Sequence, residues 1–165
     1  MAYEDFTTFT YADDDGDLTI VANKIEVDSV GDQGGDTLVY KDYGANHFDS
    51  AFTHQFEITV NEEHYDNFWA ISGSTSGLPS ENITYFGIGG DRFFINDYVV
   101  DDQDNSNIIN YTTKYYITIV FDGANTFTAT IRTGSHAGAV FDTISVAGVD
   151  PTGFRYLYAY TEFWD

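Results

Sequence analysis

Residues 52 to 60 read Phe52-Thr53-His54-Gln55-Phe56-Glu57-Ile58-Thr59-Val60. In an extended chain successive side chains point to opposite faces. Phe52, His54, Phe56, Ile58 and Val60 therefore share one side, and Thr53, Gln55, Glu57 and Thr59 the other. On a helix the same residues would be spread around the axis with no apolar stripe. The stretch specifies a strand with one face buried and one wet, as in an antiparallel sheet packed on a core.

The same period recurs along the chain. Tyr115, Ile117, Ile119 and Phe121 share a face, and so do Phe127, Ala129 and Ile131 after the turn Asp122-Gly123-Ala124-Asn125, which makes the two runs a hairpin. Further strands are predicted at Thr7 to Ala12, Leu18 to Val27, Thr37 to Lys41, Phe68 to Ser72, Thr84 to Ile88, Arg92 to Ile95, Val140 to Val146 and Phe154 to Glu162. No window sustains the spacing of an amphipathic helix. Many short strands, with turn residues roughly every ten positions, describe an all-β fold of two packed antiparallel sheets, a sandwich or jelly roll.

At 165 residues the chain is long enough for one sizeable core and reads as a single β-sandwich domain, 1–165. Its 13 Tyr and 14 Phe carry too much ring surface for a disordered polymer, despite the charge. The run Ser72 to Ser80 has the composition of a linker. Neither half beside it has enough strands to close a sandwich, so it reads as a long loop.

Twenty-seven Asp and Glu stand against six Lys and Arg, for a net charge of -21. The six cations, Lys24, Lys41, Arg92, Lys114, Arg132 and Arg155, are scattered singly, which argues against nucleic acid as a partner, since phosphates need clustered positive charge. The same field argues against anionic membranes. No run is apolar for long enough to span a bilayer, and the N-terminus lacks the basic start and apolar stretch of a signal peptide. The absence of cysteine removes disulfides, thiolate chemistry and Cys-ligated zinc.

Asp outnumbers Glu and gathers beside Gly and Asn at 13–17, 28–36 and 101–104. Carboxylates in turns bond the backbone next to them, which fits this placement, and so would bound Ca²⁺. Asp13-Asp14-Asp15-Gly16-Asp17 lies between two strand patterns and reads as a tight hairpin turn, its Gly falling too early for an EF-hand loop. Asp28, Asp32 and Asp36 interleave with Gly31, Gly34 and Gly35 and are the candidate Ca²⁺ ligands.

No catalytic residue is expected. Glu62 and Glu63 would point to opposite faces of a strand, no Gly-x-Ser-x-Gly elbow is present, and His47, His54, His64 and His136 have no metal-ligand spacing. His54, on an apolar face, reads either as a packing histidine bonded to a buried neighbour or as a ligand contact. Trp69, Tyr43, Tyr85 and Tyr98, with Phe94, are candidate platforms for a sugar ring, core packing being the alternative for each. Tyr156, Tyr158 and Tyr160 share one face of the last strand, either an inner face with wet edges or a subunit contact.

Several segments together carry a family resemblance: Phe6-Thr7-Thr8-Phe9-Thr10, then Val39-Tyr40-Lys41-Asp42-Tyr43-Gly44-Ala45-Asn46-His47-Phe48 ahead of Phe52-Thr53-His54, then Lys114-Tyr115-Tyr116-Ile117-Thr118-Ile119 and Phe154-Arg155-Tyr156-Leu157-Tyr158-Ala159-Tyr160. They resemble the concanavalin A-like lectin/glucanase (LamG-like) jelly rolls, in particular the short stand-alone members of phage and environmental viral genomes. The resemblance spans nearly the whole chain. It implies two curved antiparallel sheets, a ligand groove on the concave face or at the loop rim, and in some members a rim Ca²⁺. Glycosidase members carry Glu-x-Asp-x-(x)-Glu on one strand face. Here Glu26-Val27-Asp28-Ser29-Val30-Gly31 lacks the second Glu, which puts that activity in doubt.

The expectation is a non-catalytic structural and binding module of a phage or virus-like particle surface. It would self-assemble as a homo-oligomer and bind glycans through Trp69, His54, Tyr43, Tyr85 and Tyr98. The alternatives are a stand-alone, Ca²⁺-dependent carbohydrate-binding protein and a glycan-cleaving enzyme with an unfamiliar dyad.

Overall fold

The computed structural model describes residues 4–13, 18–22, 24–27, 38–61, 64–73 and 83–161. A seven-stranded sheet runs in the order β1 (Thr10–Ala12), β4 (Leu38–Asp42), β13 (Tyr156–Thr161), β6 (His64–Ser72), β7 (Ile83–Gly90), β8 (Arg92–Asp97), β9 (Asp102–Ile108). A four-stranded sheet runs β12 (Val140–Ala147), β11 (Thr126–Thr133), β10 (Lys114–Phe121), β5 (Phe52–Thr59). A short hairpin of β2 (Leu18–Val21) and β3 (Lys24–Val27) stands apart from both. All pairings are antiparallel, so the chain is the all-β sandwich its alternation specifies.

Strand β5 alternates half-buried and exposed residues over its whole length, with Phe52, His54, Phe56 and Ile58 inward. Ile117, Ile119, Phe121, Phe127, Ala129 and Ile131 from the narrow sheet meet Trp69, Ile71, Phe86, Ile88, Phe93 and Ile95 from the wide one in a single buried cluster. The rings of Phe121 and Phe127 stack at 4.6 Å, and those of Phe86 and Phe93 at 5.4 Å. Each fully buried Ile or Phe contributes roughly 1.5–3 kcal/mol, so this interior dominates the folding free energy.

The β10–β11 turn forms as its letters require. One carboxylate oxygen of Asp122 accepts from the N–H groups of Ala124, Asn125 and Thr126 at 2.7, 2.9 and 3.1 Å. Gly123 sits at φ +81°, and a Cβ there would lie 3.0 Å from Ala51, so both conformation and space demand glycine.

Along one side, the edge strands β9 and β12 of the two sheets are stitched by a reciprocal pair of aspartates. Asp104 accepts from its neighbour Asn105 N–H at 2.9 Å and from Ser145 N–H across the seam at 3.0 Å. Asp142 accepts from Thr143 N–H at 2.8 Å and from Asn107 N–H across the seam at 2.7 Å. Backbone donors that an unpaired edge would leave open are thereby satisfied by charge-assisted bonds.

Several sequence expectations need correction. The run Leu18 to Val27 is two strands forming their own hairpin, with a turn at Ala22 after the first. Strand β1 pairs with β4 and not with β2, so the two strands flanking residues 13–17 do not form a hairpin with each other. Residues 102–108, where 101–104 reads as a turn cluster and no strand is expected, are the edge strand β9: an edge with one wet face tolerates Asp-Gln-Asp-Asn-Ser-Asn because little of it must enter the core. Of the two readings of the β13 tyrosines, Tyr156 and Tyr158, 8% and 2% exposed, fit the inner face.

Removing either seam carboxylate should lower stability. Asp142→Ala and Asp104→Ala are each expected to cost roughly 1–3 kcal/mol in urea unfolding, with Asp142→Asn costing less because an amide oxygen still accepts. A loss no larger than that from Asp5→Ala, a terminal turn cap, would show that the seam adds nothing to the sandwich.

Candidate functional site

The wide sheet has a second face, turned away from the common interior. Strand register gives its rows directly. One runs Thr10, Tyr40, Tyr158, Ala70, Tyr85, Asn96, Gln103, and the next includes Leu38, Asn67, Gly87, Phe94, Asn105. The phase is set by Phe86, Ile88, Phe93 and Ile95 pointing into the main cluster, which forces Tyr85, Phe94 and Asn96 to the other side.

This face divides into two halves. Toward β13 and β6 it is covered: Ala70, Ile83, Tyr156 and Tyr158 form a second buried cluster, with Leu38, Tyr40 and Tyr85 against it. The Tyr40 and Tyr158 rings lie 5.5 Å apart. Burial first, and then the neighbouring Tyr156, pushes the Tyr158 hydroxyl up to about 12, so it stays a neutral donor at any physiological pH. Toward β8 and β9 the face opens. There Tyr85 and Phe94 meet edge to face at 5.7 Å and 89°, both half-exposed. Beside them runs a ladder of amides, Asn96 Nδ2 donating to Gln103 Oε1 at 3.0 Å and Gln103 Nε2 to Asn105 Oδ1 at 3.0 Å. Gly87, opposite Phe94, places no side chain on the floor.

Of the residues singled out by sequence, Tyr85 and Phe94 are brought together here. Tyr98 follows in the turn closing β8, 61% exposed, its N–H bonded to the Ile83 carbonyl at 3.0 Å, so it stands at the rim of this face. Trp69 goes elsewhere. It is 3% exposed, lies in the interior and offers no ring face to a ligand. Its indole N–H donates to His54 Nδ1 at 2.9 Å, so His54 is the packing histidine of the two readings, with the proton on Nε2. Burial, and then the charge of His47, holds His54 down to about 4.

Tyr43 is also committed internally. His47 stacks on it at 4.7 Å, the Lys41 ammonium lies 4.9 Å from its ring centre, and burial together with a hydrogen bond to Glu4 raises its hydroxyl's pKa far above the usual range. Lys41 in turn pairs with Glu4 at 2.5 Å. The proposed Ca²⁺ ligands Asp28, Asp32 and Asp36 lie outside the described residues. Among the described residues no three acidic or histidine side chains gather as a metal site.

Sequence reasoning missed the amides because 101–104 was read as a turn cluster. The available signal was the two-residue spacing of Gln103, Asn105 and Asn107, which is strand periodicity written in polar residues.

Fold and face together define the class as an antiparallel, jelly-roll-like β-sandwich. The chain is similar to the binding domain of botulinum neurotoxin serotype C1, with a TM-score of 0.50 at 15% identity, covering 83% of this chain and 34% of that one. It is also similar to a botulinum neurotoxin type C structure described as depending on two ganglioside molecules for cell entry, with a TM-score of 0.49 at 14% identity over 83% of this chain and 34% of that one. A third is the enzymatically active domain of tailspike protein 2 of bacteriophage CBA120, with a TM-score of 0.49 at 15% identity over 96% of this chain and 26% of that one. The chain thus spans about a third of the length of the toxin domains it matches. No family model matches the sequence, and no curated protein does.

The Trp69–His54 bond gives the sandwich a specific acid sensitivity. His54 is lowered from 6.5 to about 4, so from pH 6.5 downward the unfolded chain takes up a proton that the folded chain refuses. Stability is full above pH 6.5 and falls as pH drops toward 4, by on the order of 3 kcal/mol. His54→Gln keeps an acceptor for the indole without titrating. Its stability should therefore fall less than that of the wild type between pH 6.5 and 4 in denaturant titrations, and parallel losses would remove His54 as the cause.

Proposed function

We propose that the chain is a non-catalytic carbohydrate-binding module that seats a sugar on the open half of the wide sheet's outer face. The observation carrying this reading is the Tyr85–Phe94 ring pair set beside the hydrogen-bonded amides Asn96, Gln103 and Asn105. A pyranose has an apolar C–H face that gains by covering an aromatic ring, and a rim of hydroxyls that both donate and accept. Amides match that rim because each carries an acceptor oxygen and two donor hydrogens, whereas a carboxylate only accepts. They do not exchange protons near neutral pH, so such a surface holds a glycan without the acid and base needed to cleave it. Tyr85, Phe94 and Asn96 have a strand on either side, and the edge strand bearing Gln103 and Asn105 is held by β8 and by the aspartate seam to β12, which lowers the ordering cost of binding. The overall charge of -21 turns the preference toward uncharged sugars, since anionic ones approach against the field.

Binding of neutral oligosaccharides, measured on a glycan array and by calorimetry, is expected to weaken about tenfold or more in Tyr85→Ala and Phe94→Ala, equivalent to about 1.4 kcal/mol. Gln103→Ala, exposed on the edge strand, should weaken it several-fold without touching the fold. A chelator should leave it unchanged, because the groups proposed to hold the sugar, Tyr85, Phe94, Asn96, Gln103 and Asn105, include no carboxylate. Undiminished binding in all three variants, or no neutral glycan bound by the wild type, would overturn the proposal.

A further inference from the structure

The outer face of the four-stranded sheet differs in charge from the rest of the molecule. Its rows are Thr53, Val120, Thr128, Ser145; then Gln55, Thr118, Thr130, Thr143; then Glu57, Tyr116, Arg132. The first two rows carry no charge. The third carries one of each sign, and Lys114 beside it holds Glu57 at 2.8 Å. Two cations against one carboxylate make this plate slightly positive on a chain of net charge -21.

Arg132 is the anomaly within it. Among the described residues, every other cationic side chain has a carboxylate within ion-pair distance: Lys24 has Glu26, Lys41 has Glu4, Arg92 has Asp91, Lys114 has Glu57 and Arg155 has Asp42. Arg132 pairs with none, half-buried in a chain that holds 27 acidic residues. A guanidinium gains most from a carboxylate in its plane, so an unpaired one in such a chain marks a group whose partner comes from outside the fold.

We propose that this plate is the surface on which a second copy of the chain docks, face to face, about a two-fold axis lying along β10. The row Glu57, Tyr116, Arg132 is self-complementary under that rotation. It keeps each row at its own level and exchanges β5 with β11. Arg132 is therefore brought over Glu57 of the partner subunit, twice per contact, and Thr118 over Thr118 of the partner subunit. Closed two-fold pairing of identical patches is the commonest symmetry among homo-oligomers. On a chain of net charge -21 the plate carries little charge of its own, and pairing Arg132 with Glu57 across the axis offsets part of the repulsion that two copies otherwise meet.

The plate also sets the strength. Strands of eight residues at about 3.4 Å per residue, laid about 4.8 Å apart, make a surface of roughly 400 Å² per copy. That is about half the roughly 800 Å² per partner of a stable interface. The dimer is accordingly weak and concentration-dependent, and salt acts on it chiefly by screening the repulsion between two chains of net charge -21. It leaves the opposite sheet, with Tyr85 and Phe94, facing outward from both copies, although the docking argument does not depend on what that sheet binds.

Sedimentation equilibrium of the full chain, up to millimolar concentration at physiological ionic strength, tests the proposal. The wild type should pass from monomer to dimer, with a larger dissociation constant at low salt, where two chains of net charge -21 repel unscreened. Arg132→Glu and Thr118→Glu, both on the wet face, should unfold at the wild-type temperature yet dimerise at least about tenfold more weakly, the second by placing like charges across the axis. A wild type that stays monomeric at every concentration overturns the proposal. So does equal dimerisation of both variants, which would place the contact on another face, and so does Arg132-dependent binding of an acidic polysaccharide by a chain that never dimerises.

Discussion

The rings and branched chains between the two sheets have to leave water together, and they can do so only while both sheets keep their two-residue alternation in step. Phe121 on Phe127 and Phe86 on Phe93 are the densest points of that interior. A one-residue slip in β10 would turn Tyr115, Ile117, Ile119 and Phe121 to solvent at once, so register is fixed by burial more firmly than by any single hydrogen bond. The narrow sheet has four strands and the wide one seven, and this mismatch shapes the rest. Part of the wide sheet finds its own cover on its far side, through the second cluster around Tyr156 and Tyr158, and part of it stays open.

Much of the chain's acidity is explained by what the aspartates hold. Asp5, Asp42, Asp97, Asp122 and Asp150 accept backbone N–H groups in the turns beside them. Asp49 reaches Gly153 from a distant loop, and Asp104 and Asp142 join the sheet edges. A carboxylate bonded to several N–H groups favours its charged form, and backbone donors lower the pKa of Asp122 without any cation nearby. The negative field is in this sense a by-product of building many tight turns from Asp. It then acts at long range by restricting what can approach the surface.

The two outward faces have opposite characters. On the wide sheet, rings and amides sit side by side in a fixed frame, suited to a ligand with alternating apolar and polar faces. On the narrow sheet, threonines make an even surface that ends in the Lys114–Glu57 pair and in Arg132, a cation with no carboxylate partner among the described residues. They lie on opposite sides of a single interior, so occupancy of one does not obstruct the other.

The alternation at 52–60 and 115–131 determined three strands of the narrow sheet and their buried faces, because a half-buried strand writes its two faces into adjacent residues. The turn at Asp122-Gly123 and the packing reading of His54 were likewise legible locally. Nothing in a single strand states which strand lies beside it. The pairing of β1 with β4, the separation of the β2–β3 hairpin, the recruitment of the polar run 102–108 as an edge and the seam between Asp104 and Asp142 were decided only by the tertiary structure. The same holds for the open face: Tyr85, Phe94, Asn96, Gln103 and Asn105 come from three strands. Their contiguity depends on lateral register, set by hydrogen bonds and packing between distant segments, whereas a sequence records only the order along one strand.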